Sequence, residues 1–177
     1  MKTLGRIAVI SAVVAVTVTF IARGDGDASK NQSKTNDAKN VAAASGRSLK
    51  EPVKSVLDHY LKIRAALADD STKGVSTNAA AISEAVKADK AKTLSAEVAA
   101  GADAVAQAKD LATVRENFKD LSQALIKCMS DKNVKTGQFD EVFCPMANAY
   151  WLQTNQDISN PYLGHSMPGC GEIKRGF

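Results

Sequence analysis

The chain has 177 residues, a formal net charge of +4 and 5% aromatic residues. That length supplies one ordinary domain, and the lysines are interspersed with aspartates and glutamates instead of forming a basic stripe, so nucleic acid is not expected as a partner. The apolar fraction is rich in alanine, which favours closely packed helices over a sheet of β-branched and aromatic residues.

The N-terminus opens on Met1-Lys2-Thr3-Leu4-Gly5-Arg6, continues as an uncharged run from Ile7 to Ala22, and leaves it at Arg23. A basic start, an apolar centre and a polar exit make residues 1–23 a secretory signal peptide or an N-terminal membrane anchor. Bulky Phe20 disfavours a cut after Ala22, whereas the run is short beside the roughly 20 residues that span a bilayer, so both fates stand open. Either way the protein is expected outside the cytoplasm, in the periplasm, with a membrane as partner only through residues 7–22 if they stay attached. Residues 24–47 hold Gly, Asp, Ser, Asn, Lys and Ala with Val41 as the single large aliphatic side chain, the composition of a flexible linker.

The domain is expected over 48–177. Ser48-Leu49-Lys50-Glu51 has the form of a capping box, and Pro52 suits a first helical turn, where amides lack partners. Leu49, Val53, Val56, Tyr60, Ile63 and Leu67 then recur at steps of four and three, predicting a helix to about Ala68. Asp69-Asp70-Ser71 interrupts the pattern and can cap a second helix. The same stepping returns in Val75, Ala79, Ile82 and Val86, in Leu94, Val98, Gly101, Val105 and Ala108, and in Leu111, Val114, Phe118, Leu121, Leu125 and Cys128. Four amphipathic helices with short connections imply an up-down four-helix bundle over 48–132, the third and fourth either separate or one kinked helix around Lys109-Asp110. The fold class expected is all-α.

The tail, 133–177, carries the remaining cysteines, two of the methionines and the single Trp. Glu141-Val-Phe-Cys144 and Ala149-Tyr-Trp-Leu-Gln-Thr154 are rich in β-formers and flank Pro145-Met-Ala-Asn148, which predicts a short β-hairpin; Asn160-Pro161-Tyr162-Leu163-Gly164 reads as a turn. Trp151 is expected to dock the tail on the bundle. Cys128 falls on the apolar stripe of the last helix and reads as packing, and His59 as a hydrogen-bonded surface group.

Two readings of the tail stand side by side. Cys144, Met146, His165, Met167 and Cys170 are soft or borderline ligands that suit Cu(I) if the tail folds back. Alternatively Cys144 and Cys170 form a disulfide, natural in an oxidising compartment, with the methionines filling gaps. Nothing in the sequence has the spacing of a haem-attachment, zinc-protease, esterase or phosphate-loop motif, so an enzyme is not expected.

Cys144-Pro-Met146, Tyr150-Trp-Leu-Gln153, Asn160-Pro-Tyr-x-Gly164 and Met167-x-x-Cys170-Gly171, with Tyr60-Leu-Lys-Ile63, residues 66–71 and Phe118-x-x-Leu-Ser-Gln-Ala-Leu125 upstream, resemble an uncharacterised bacterial exported helical domain. That domain also occurs fused to periplasmic adaptor subunits of copper/silver heavy-metal efflux pumps, and the resemblance spans roughly Leu49 to Ile173. It implies a periplasmic domain concerned with metal handling, with Cys144, Met146, Met167 and Cys170 at the family's sulfur positions. The expectation it favours is a copper-binding protein that buffers or transfers Cu(I), with a metal-efflux or metal-acceptor protein as partner. A disulfide-stapled interaction domain without metal is the alternative.

Overall fold

The computed structural model describes residues 49–177; the leader at 1–23, the linker at 24–47 and Ser48 lie outside the described residues. Four helices come first, α1 (Val53–Ala68), α2 (Val75–Ala88), α3 (Ala96–Gln107) and α4 (Leu111–Asp131), each packed on the next. The expected stripes face inward: Val56, Tyr60, Ile63 and Leu67 of α1, Ala79 and Ile82 of α2, Val98 and Val105 of α3, and Phe118, Leu121 and Leu125 of α4 are all fully buried. Gly101 lets α3 approach α4 closely, since a Cβ there would lie 2.9 Å from Leu121 Cα.

Helices α3 and α4 are separate. Ala108 and Asp110 are extended, and the Asp110 carboxylate accepts from the Thr113 amide at 2.9 Å, an N-cap that starts α4 afresh. Asp69, Asp70 and Ser71 do not cap α2, which begins after Gly74 with φ +74° and no side-chain cap. At the start of α1, Glu51 accepts from the Ser55 amide at 3.2 Å. Among the described residues no helix is long and apolar enough to cross a membrane.

The expectation of an all-α fold is overturned by the tail. Strands β1 (Asp140–Cys144) and β2 (Ala149–Gln153) form the hairpin, and a third strand, β3 (Glu172–Gly176), pairs antiparallel with the other side of β1, giving the order β2-β1-β3 and a mixed helix/sheet fold. β3 reads Glu-Ile-Lys-Arg-Gly, with one apolar residue and four exposed positions, so it lacks the half-buried alternation by which strands are read. It is a strand because β1 offers a free ladder, and its charges are those of a protected sheet edge.

The opposite edge is covered by the bundle. The Leu152 amide donates to the Tyr60 hydroxyl at 3.1 Å, Tyr60 pairs with Ser122 at 2.7 Å, Ser122 with Tyr162 at 3.2 Å, and Tyr162 donates to the Tyr150 carbonyl at 2.5 Å. Tyr162 has one proton and spends it on Tyr150, so Ser122 donates to Tyr162 and Tyr60 donates to Ser122. Each hydroxyl thus accepts once and donates once, and the chain closes on two backbone groups of β2 that would otherwise be an unpaired edge. Burial pushes the Tyr60 phenol up to about 12 and that of Tyr162 well above its ordinary value, which keeps both protons in place. Phe118 stacks on Tyr60 with ring centroids 5.0 Å apart and meets Tyr162 at 6.0 Å, so the apolar and polar contacts share one interface.

Candidate functional site

The tail's sulfurs are placed by strand pairing. In the β1–β3 ladder Phe143 lies opposite Glu172, so the next residue of β1, Cys144, falls beside the chain that leads into β3. Cys144 and Cys170 are joined there in a disulfide with Cα atoms 5.7 Å apart. Gly171 is required at this crossing: a Cβ would lie 2.7 Å from the Trp151 ring and 2.9 Å from Val142 Cγ1. Trp151 is fully buried, edge-on to Tyr162 at 5.9 Å, with its indole N–H donating to Gln153 at 3.1 Å. Polar contacts between tail and bundle include the tyrosine–serine chain, Arg64 and Arg115 on loop carbonyls, and Arg175 of β3, which donates to Ser130 Oγ of α4 at 2.8 Å.

Turns carry the two thioethers away from the disulfide. Cys144 opens the tight turn Pro145–Asn148, in which Asn148 has φ +46° and the Ala147 amide donates to Cys144 Sγ at 3.4 Å. Met146, on that turn, is 68% exposed; Met167, one turn before Cys170, is 42% exposed. Met146 also lines a groove with Leu111, Arg115, Tyr162 and Leu163.

Asn160 organises the loop before Cys170. Fully buried, it donates from Nδ2 to the Cys170 carbonyl at 2.6 Å and accepts from the amides of Tyr162 and Leu163 at 2.8 and 3.0 Å. On either side of it, Arg64 of α1 donates to the Ser159 carbonyl at 3.1 Å and Arg115 of α4 to the Pro161 carbonyl at 2.8 Å. Burial lowers the Arg64 pKa from its ordinary value.

Arg115 also donates to the Leu67 carbonyl at 2.7 Å and to Asp70 Oδ1 at 2.5 Å, while the second Asp70 oxygen accepts from the His165 amide at 3.0 Å. The Arg115 guanidinium, then the His165 amide, hold the Asp70 carboxyl below its usual range. A Cβ on Gly164, whose φ is +53°, would stand 1.9 Å from Asp70 Oδ1, so only glycine fits beside this clamp.

Of the expected ligands, the structure brings Cys144 and Cys170 together and sets Met146 and Met167 on the turns next to Cys144 and Cys170 respectively. The His165 ring faces Asp70 Oδ2 at 3.2 Å and Asp69 Oδ1 at 4.0 Å. Among the described residues no group of three or more His, Cys, Asp or Glu side chains is placed to share a metal ion. Cys128 is a buried free thiol that reaches the Thr93 carbonyl at 3.7 Å, and His59 donates from Nδ1 to Asn78 Oδ1 at 2.8 Å. Asp70, Arg115, Asn160, Ser122 and the two buried tyrosine hydroxyls carry the tail's attachment. The sequence marks Asp70 as a helix cap, Tyr60 as a member of an apolar stripe, Asn160 and Tyr162 as a turn and Ser122 only within a motif, so their attaching role is not read from it, and Arg115 is not marked at all.

Comparison with known families matches residues 56–137 to one described as a protein family of unknown function, DUF3347. No curated protein and no solved structure matches the chain. The match covers nearly all of the helical bundle and ends just before β1, a shorter span than the resemblance implied. Cys144, Met146, Met167 and Cys170 lie beyond it.

Proposed function

We propose that this domain acts outside the cytoplasm as a carrier of a soft monovalent metal ion, Cu(I) first, using Cys144, Met146, Met167 and Cys170 once the disulfide has been opened. The observation that carries the reading is the pair of exposed thioethers. Only three large hydrophobic side chains are exposed among the described residues, and two of them, Met146 and Met167, flank the Cys144–Cys170 disulfide. A thioether left this exposed gains only part of the packing energy a buried one would, which leaves it free for contact, and polarizable sulfur suits a polarizable ion. The donor set fits the cargo in the reduced protein, where two thiolates supply tight binding and two thioethers bind without losing a proton. His165 is left out of the set because its ring faces Asp70.

The N-terminal layout of residues 1–23 and an oxidised cysteine pair both suit an exported protein, and residues 7–22 would be its only membrane contact. The ion is cargo to be buffered or handed to a metal-acceptor or efflux protein, and no reaction is assigned. A second reading, a stapled protein-interaction domain without metal, is favoured by the disulfide itself and by the exposed Tyr150, which packs on Phe143 at 4.5 Å.

A Cu(I) competition titration of the full chain against a chromogenic chelator separates the two. The carrier reading expects the reduced protein to take one equivalent, with affinity at least tenfold lower in Met146→Leu/Met167→Leu and lost in Cys144→Ser/Cys170→Ser. No competition by reduced, still-folded protein would leave the interaction domain.

A further inference from the structure

We infer that the Cys144–Cys170 bond is a thiol-exchange site, opened by an incoming dithiol that attacks Cys170 and expels Cys144. The inference concerns the disulfide alone and holds whether or not a metal ion follows.

The two sulfurs are unequally guarded. Cys144 is fully buried at the end of β1, paired with buried Ala149 across the hairpin. Cys170 is only partly buried, and the five residues that precede it, His165 to Gly169, are all exposed. A Cβ built on Gly169 would meet nothing within 4 Å, so open space adjoins Cys170 on this side. Exchange depends on which sulfur an attacking thiolate can reach, and the less buried of the two residues is Cys170.

The leaving group is the other half of the argument. Attack at Cys170 forms a new S–S bond to the incoming sulfur and breaks the old one, and its electron pair departs on Cys144 Sγ. That atom already accepts the Ala147 N–H at 3.4 Å, a contact that strengthens when the sulfur becomes an anion. That hydrogen bond offsets part of what burial of Cys144 costs its thiolate, and the better stabilised the thiolate, the faster it leaves. The second thiol of the dithiol then attacks its own sulfur in the mixed disulfide and expels Cys170 as thiolate. The dithiol ends as a disulfide, two electrons have passed to the protein, and its two thiol protons balance the two cysteine thiolates.

Opening the bond does not release the tail. Asn160 still holds the Cys170 carbonyl at 2.6 Å, and the pairing of Phe143 with Glu172 is independent of sulfur, so the two thiols stay side by side. The exchange is therefore reversible, and it is the step that would supply free thiols to the flanking methionines.

The test uses the full oxidised chain carrying Cys128→Ala, without metal. Brief native exposure to glutathione, acid quenching, alkylation of free thiols and peptide mass mapping should find glutathione on Cys170 and the alkyl group on Cys144, at least tenfold over the reverse. As an independent readout, Cys170 in the reduced Cys144→Ser variant should react with an aromatic disulfide reagent at least tenfold faster than Cys144 in Cys170→Ser. Equal or reversed labelling, or a mixed disulfide that forms only in urea, would overturn the inference. Since no copper is present, neither result can be mistaken for a failure of metal binding.

Discussion

The bundle and the tail are held by different physics although they share one core. In α1 to α4 apolar side chains recur at helical spacing, and each turn contributes its share of burial. From Asp140 onward there is no repeat to rely on. The sheet is fixed by single contacts of high specificity: a disulfide, a buried asparagine, two arginines on loop carbonyls, and three hydroxyls that complete the edge of β2. Losing one apolar member costs the area it buried and leaves a cavity, but the pattern around it is unchanged. Losing one of the unique polar contacts instead strands its buried partner. The boundary where the repeat ends is also close to where the family match ends, at residue 137.

The largest test of that contrast is removal of the disulfide. It closes a segment with a sequence separation of 26, for which chain entropy gives roughly 3.5 kcal/mol. The single Trp lies in β2 and all four described helices lie in the bundle, so tryptophan fluorescence reports the tail and the far-ultraviolet helix signal reports the bundle. In Cys144→Ala/Cys170→Ala the fluorescence transition in urea is expected to move to lower denaturant by most of that energy, with the helix transition following at higher urea. Coincident transitions in the variant would show instead that tail and bundle unfold as one unit.

The same contrast decides what could be read from the sequence. Steps of three and four placed the helices because burial in a bundle writes itself into every turn; Val56, Tyr60 and Ile63 are one such run. The hairpin was legible because Val142, Phe143, Tyr150 and Trp151 are β-formers on both sides of a Pro/Asn turn. β3 was not, because an exposed edge strand is selected for charge and its pairing depends on a partner far back in the chain, as in Phe143 with Glu172. The Tyr60–Ser122–Tyr162 chain was equally hidden. Tyr60 shows in sequence as a member of an apolar stripe, and nothing there reveals that its hydroxyl serves a backbone amide of β2. Asp70 looked like a helix cap because that is the commonest local use of an aspartate before a helix, yet it is engaged by Arg115 and His165, far along the chain.

A smaller effect follows from Tyr60→Phe. The ring, its stack on Phe118 and nearly all its burial remain, but the Leu152 amide loses its acceptor and Ser122 loses the hydrogen bond it accepts from Tyr60, keeping only Tyr162. Leaving a buried donor unpaired costs about 1 to 3 kcal/mol. If the hydroxyl chain is what seats the sheet, the loss appears in the fluorescence transition at least as strongly as in the helix transition. A loss seen only in the helix signal would assign Tyr60 to the bundle alone.

The smallest expected effect is electrostatic and lies at the clamp between α1, α4 and the loop before Cys170. Asp70 is held below its ordinary pKa first by Arg115 and then by the His165 amide. A carboxyl whose pKa is depressed on folding contributes stability that is fully present above its unfolded value, about 3.9, and is lost as pH falls through the lower folded value. The native protein should therefore lose stability on acidification from pH 5 downward more steeply than Asp70→Asn, which has no such proton to take up. Asp69 and the His165 ring also face this clamp, so His165→Ala is the needed control: it removes the imidazole while keeping the backbone amide that Asp70 accepts. If the steeper slope survives in His165→Ala and vanishes in Asp70→Asn, the carboxylate itself holds the loop to the bundle. Parallel slopes in all three proteins would mean that the clamp is held by the Arg115 bonds to the Leu67 and Pro161 carbonyls.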